Sequence, residues 1–169
     1  MSESLSERQD AVDRDLTGPS GRTPAGDALS RLVVELFRVN GRLAAAGDAL
    51  ARPVGQTSAR WQVLAAIEDD PAAVASVARL LGLTRQSVQR VADLLVAEGL
   101  ATFEPNPGHR RAKLLRLTAQ GRTALSAIQV AQRGWADAIG ARIGEPDLRR
   151  AADILERLRM ALDGSPSSR

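Results

Sequence analysis

Apolar and polar positions follow helical periods along most of this chain, and the pattern is sharpest from Val74 to Leu100 (VASVARLLGLTRQSVQRVADLLVAEGL). Val77, Ala78, Leu81 and Leu83 form one apolar run; after Thr84, Val88, Val91, Leu94 and Leu95 recur at helical spacing. Gly82 stands between the runs, where a helix must end at positive φ and a side chain would clash. Ala78, four residues earlier, lets two helices cross closely. Thr84 is a good N-cap whose hydroxyl can accept from the backbone N–H of Ser87 or of the residue before it. The spacing predicts a helix-turn-helix.

The same periodicity orders the flanks. A helix is expected from Asp27 to about Ala46, with Leu29, Leu32, Val33, Leu36, Phe37, Leu43 and Ala44 on one side and Gly47 as its stop. Pro53 and Gly55 mark a loop, Thr57 or Ser58 caps the next helix, and Trp61, Leu64 and Ile67 form its buried stripe. Pro71 breaks the chain before the helix-turn-helix and Gly99 ends it. Two short extended segments then flank the turn EPNPGHRR, which predicts a β-hairpin with a basic tip, a wing. Thr118 caps a long helix carrying Leu125, Ile128, Trp135, Ile139 and Ile143, ended by Gly144. The last helix is expected to start at Glu145-Pro146-Asp147 with Pro at its first position and acid in the first turn, and Leu148, Ala151, Leu155, Leu158 and Leu162 alternate three and four apart. That is the seam of a two-helix contact, and with Leu32 and Leu36 it predicts a homodimer.

The polar residues of the helix after Gly82 supply the chemistry. Arg85, Gln86, Ser87, Gln89 and Arg90 crowd its first two turns. Arginine can fork onto guanine O6 and N7, glutamine can pair with adenine, and serine reaches bases or phosphate. The helix N-terminus adds backbone N–H groups that attract phosphate. With Thr84, these residues are expected to contact double-stranded DNA in the major groove; His109, Arg110, Arg111 and Lys113 of the wing are expected to reach phosphate or the minor groove.

Composition bounds the rest. The 169 residues suit one domain with extensions. Without cysteine there is no disulfide, zinc–thiolate or thiol sensor, and with a single histidine, His109, no metal site is expected. No cofactor is expected, nor an enzyme: the acid, base, nucleophile and glycine-rich phosphate loops of active sites are missing. No apolar run approaches a membrane span and no signal-peptide core opens the chain, so a cytoplasmic protein with no membrane partner is expected. Net charge is only +3, but residues 1–26 carry a net of −2 and the remainder +5. Residues 1–26 hold few large apolar side chains and are expected to be disordered, with a short helix from Glu7 to Leu16 if a partner covers it; residues 164–169 are expected to be a second disordered tail.

Helix, helix, helix-turn-helix, wing and two terminal helices is the order of the MarR family, which the chain resembles from Asp27 to Leu162. The residues that carry the resemblance are Ala59 to Leu64, Leu83 to Val91, Asn106 to Lys113, and Leu117-Thr118 with Gly121. The resemblance implies a mainly α, winged helix-turn-helix domain over residues 27–163. Within it, residues 27–47 and 118–163 would form the dimerisation helices and residues 57–117 the DNA-binding lobe. It implies a homodimeric transcription regulator, a repressor in most members, on a pseudo-palindromic operator. Arg111 matches the family's wing arginine; where many members place an aspartate two residues before it, this chain has His109, which titrates near neutral pH. Many members also bind a small phenolic or anionic effector between the two regions, and Phe37, Arg42, Arg60 and Trp61 are the corresponding lining here. A winged-helix module for protein contacts, or a sequence-indifferent DNA binder, are the competing readings; the first would be expected to lack the Arg85/Gln86/Arg90 face.

Overall fold

The computed structural model describes residues 23–108 and 112–164. Its elements are α1 (Pro24–Ala51), a 3-10 turn (Arg52–Val54), α2 (Ser58–Ala66), β1 (Ala72–Ala73), α3 (Val74–Leu81), α4 (Arg85–Ala97), β2 (Ala101–Glu104), β3 (Leu114–Leu117), α5 (Ala119–Ile143) and α6 (Glu145–Asp163). The fold is a mainly helical winged helix-turn-helix with one small antiparallel sheet, as the sequence pattern predicts. Two compact units divide it, residues up to Ala49 and residues from Leu50 onward.

The first unit is the body of α1. This helix begins three residues before Asp27, because Thr23 accepts from the Gly26 N–H and the Asp27 N–H bonds to the Thr23 carbonyl. Pro24 then sits in the first turn, where its missing N–H costs nothing. Gly47 does not stop the helix. Glycine ends a helix by taking positive φ; Gly55 does so and Gly47 does not, so α1 runs on to Ala51. A glycine inside a helix costs only about 1 kcal/mol.

In the second unit three threonines open three helices. Thr57, Thr84 and Thr118 each accept, through the hydroxyl, from the N–H three residues on, at 3.3, 3.2 and 3.0 Å. Val63 and Leu64 of α2 and Ile67 just after it pack with Val77 and Ala78 of α3 and with Val88, Ala92 and Leu95 of α4. Leu100, Ala101, Leu115, Leu117 and Leu125 close this core from the sheet and α5. Each fully buried leucine or valine contributes roughly 1.5–3 kcal/mol. Trp61 packs against the core from its margin and is only partly buried, while Val63, absent from the expected stripe, is fully buried.

The strand order is β1-β3-β2, all antiparallel. Phe103 pairs with Leu115, which pairs on its other side with Ala72. The hairpin matches expectation; β1 is an addition, a two-residue strand that ties the start of α3 to the wing. Gly121 then locks α5 onto this unit. A Cβ there would lie 2.0 Å from the Leu100 carbonyl oxygen, so only glycine permits the approach. The same junction is tied by the Thr118 hydroxyl donating to the Gly99 carbonyl at 2.7 Å.

Candidate nucleic-acid interface

The helix-turn-helix is held by its turn. Gly82 has φ of +65°, and the Leu83 N–H bonds back to the Ala78 carbonyl at 2.9 Å, turning the chain into α4. Val88, Ala92 and Leu95 fix the inner face of α4, so its outer face must carry Gln86, Arg90 and Asp93, with Arg85 and Gln89 on one flank. These five line one shallow concavity of about 620 Å³. Leu94, expected in the apolar stripe, is exposed, as are Leu80 and Leu83; helical spacing there reaches past the buried arc.

A second concavity, of about 810 Å³, lies on the wing side of α4. Its walls are Ser76 and Arg79 of α3, Arg85 and Gln89 of α4, and Phe103, Asn106 and Lys113 of the wing. Three cations meet here without a carboxylate in the lining. Among the described residues no carboxylate pairs with Arg79, Arg85, Arg90 or Lys113. Such a surface presents uncompensated positive charge and hydrogen-bond donors to whatever docks on it.

Of the residues expected to meet DNA, Thr84, Arg85, Gln86, Ser87, Gln89 and Arg90 share the first two turns of α4, and Lys113 lies across the wing-side concavity. Thr84 and Ser87 are committed locally: the Thr84 hydroxyl caps the helix and the Ser87 hydroxyl donates to the Thr84 carbonyl at 2.9 Å. Their remaining lone pairs stay exposed. His109, Arg110 and Arg111 lie outside the described residues. The β2–β3 hairpin is braced by Arg116, which donates to both Glu104 oxygens at 2.6 and 2.9 Å. That bond holds the Glu104 carboxyl below its ordinary value of 4.5 and raises the Arg116 guanidinium.

Comparison with known proteins decides the class. The sequence model of the MarR family matches residues 55–112, the stretch from Gly55 through α4 into the wing. The uncharacterised Mycobacterium tuberculosis protein Rv2011c is 41% identical over 140 residues, covering 80% of this chain and 95% of that one. Among solved structures, the M. tuberculosis transcriptional regulator MosR in complex with DNA is 27% identical with a TM-score of 0.65, covering 77% of this chain and 96% of that one. The chain belongs to the MarR family.

Further MarR-type structures share the fold at lower identity. The transcriptional repressor CouR, bound to a 23-mer DNA duplex, has a TM-score of 0.70 at 23% identity, over 82% of this chain and 99% of that one. MarR-family members are transcription regulators, not enzymes, and MarR regulators bind DNA and act as dimers. No helix among the described residues is long and apolar enough to cross a membrane.

Of the effector lining that the resemblance implies, Phe37 and Arg42 lie in the first unit and Arg60 and Trp61 in the second. Arg60 is ion-paired with Glu98 at 2.8 Å, and Gln56 donates to the same carboxylate at 3.3 Å. Trp61 leans on the core, Phe37 is 73% exposed and Arg42 is exposed. Of the expected dimerisation residues, Leu148, Ala151, Leu155 and Leu162 are exposed, while Leu32, Leu36 and Leu158 are half-buried. No residue of α6 is buried.

Two residues lining these concavities escaped the sequence reading, Arg79 and Asp93. Arg79 lies in the last turn of α3, three residues before Gly82, and a basic residue there must emerge beside α4. Asp93 lies four residues after Gln89, so the helical period alone places it on the same face.

Proposed function

We propose that this chain is a homodimeric transcription regulator that reads double-stranded DNA sequence-specifically, as a repressor on a pseudo-palindromic operator. The observation that carries the reading is the outer face of α4. Arg85, Gln86, Gln89 and Arg90 stand together there, without ion-pair partners among the described residues, and the basic concavity toward Arg79 and Lys113 adjoins them. Arg90 and Gln86 would read base edges, Arg79 and Lys113 would hold phosphates, and Arg111 would extend the contact from the wing tip. MosR and CouR, solved with DNA, support the same use of the fold.

The dimer follows from α6, a 19-residue helix with Leu148, Leu155 and Leu162 exposed along one side. A face of that kind needs a cover, and a second copy supplies one by two-fold symmetry. Two recognition helices about 34 Å apart would then meet half-sites one helical turn apart. An effector at Arg60 and Trp61 would have to displace Glu98, the residue that caps the C-terminal end of α4. Ligand entry there would reach the recognition helix directly.

Selection of bound fragments from a random duplex pool tests the reading. The expected result is an inverted repeat with half-site centres 10–10.5 bp apart. Enrichment of no motif, with equal affinity for every duplex, would make the chain a non-specific DNA binder; absence of binding at low salt would remove DNA as the partner.

A further inference from the structure

Asp93 is the only acid on α4, and it stands on the face otherwise built of Arg85, Gln86, Gln89 and Arg90. A carboxylate facing the phosphates of a duplex works against affinity, so its place there calls for another role. Gln89 Nε2 donates to Asp93 Oδ1 at 2.8 Å, one helical turn away, and among the described residues no cation forms an ion pair with that carboxylate. An exposed glutamine amide normally rotates freely and can present either its oxygen or its nitrogen. Here one N–H is held, so Oε1 and the second N–H are left to face outward as an ordered acceptor–donor pair.

We propose that Asp93 is a positioning residue which fixes the Gln89 amide to select adenine at one position of each half-site. The inference rests on the sequence-specific reading of the α4 face given above. Adenine offers N6–H as donor and N7 as acceptor in the major groove, the complement of a fixed Oε1 and N–H. Guanine keeps the N7 acceptor but puts the O6 acceptor where adenine has N6–H, so O6 meets Oε1 with lone pairs opposed. A freely rotating amide would turn its N–H groups to guanine and lose the distinction. Asp93 therefore contributes discrimination at the expense of general affinity.

The test uses the full chain and its selected duplex, with every base pair of one half-site substituted in turn and binding followed by fluorescence anisotropy. For Gln89→Ala, adenine preference should vanish at one position. Asp93→Ala should lose the preference at that same position by about 5- to 150-fold, the range of one good bidentate pair, while binding scrambled DNA more tightly than the unaltered chain. Asp93→Asn, whose side-chain oxygen can still accept from Gln89, should restore the preference and keep the tighter non-specific binding. The double variant should lose no more than either single variant, the mark of two residues acting as one unit. Both side chains sit on an outer helix face, and circular dichroism checks that each variant folds. Unchanged base preferences in Asp93→Ala, or a loss at a position that Gln89→Ala leaves intact, overturn the proposal while the DNA-reading function stands. An unaltered chain that prefers no sequence overturns both.

Discussion

The outer face of α4 and the length of α6 are both helix surfaces left open to solvent, yet their charges are arranged in opposite ways. On α6 three of the four arginines are matched within the helix: Arg149 with Glu145, Arg150 with Asp147, and Arg159 with Glu156 and Asp163. Pairs so exposed add little stability, but they cancel the local field and leave the leucines as the surface's main feature. On α4, Arg85 and Arg90 have no such partners among the described residues, and Asp93 is bonded to an amide instead. Where charge is cancelled and leucine is left, an apolar partner fits. Where cations are left and the apolar arc of Val88, Ala92 and Leu95 is turned inward, a polyanion fits. One helix is suited to a second copy of the chain and the other to DNA.

The junction between the two surfaces gives the largest expected effect. Gly121→Ala would press a methyl group into the Leu100 carbonyl, so both functions should fail together, with stability falling by about 3 kcal/mol. Thermal unfolding by circular dichroism reads this, and an unchanged midpoint would show that the α5 junction yields freely. Next, Leu155→Asp combined with Leu158→Asp should separate the surfaces. We expect dimerisation weakened by at least about a hundredfold in sedimentation equilibrium, because each carboxylate would be buried unpaired, with the lobe still folded. A surviving dimer would move the interface off α6.

Arg90→Ala should do the converse, costing about 1–3 kcal/mol in operator binding with dimerisation intact. Arg79→Ala is expected to weaken operator and scrambled DNA alike and to reduce the salt slope by about one. If Arg90→Ala and Arg79→Ala behave identically, the face does not divide into base-reading and phosphate-holding parts. The smallest effect concerns the wing. Because Arg116 depresses the Glu104 carboxyl, the pair stabilises the hairpin above pH 4.5, and the contribution disappears as pH falls through the lower value of the folded state. Hydrogen exchange of the β2 and β3 amides should show weakening protection on acidification through that range, and Glu104→Gln should abolish the pH dependence.

The sequence was most legible where one residue enforces a local conformation. Gly82, Gly99, Thr84, Thr57 and Thr118 act as the pattern predicts, since caps and left-handed turns depend on near neighbours only. Gly47 misled because a glycine stops a helix only where the following chain turns, and here Pro53 and Gly55 make the turn. β1 escaped notice because two alanines carry no strand signal; their pairing depends on Leu114 and Leu115, some forty residues away. Periodicity assigned Leu83 and Leu94 to the core, although the buried arc of α4 is narrower and passes through Ala92. The site was legible as a group of residue types on α4. Its couplings were not, since the Arg60–Glu98 pair spans 38 residues and the Gln89–Asp93 bond depends on side-chain geometry.

The division of labour between the two helices is tested most directly by titrating the full chain into its selected duplex, labelled for anisotropy, beside a scrambled duplex at physiological salt. The account predicts saturation at two chains per duplex and a preference of at least about a thousandfold for the selected sequence. Equal affinity for both duplexes, or saturation at one chain per site, would contradict it.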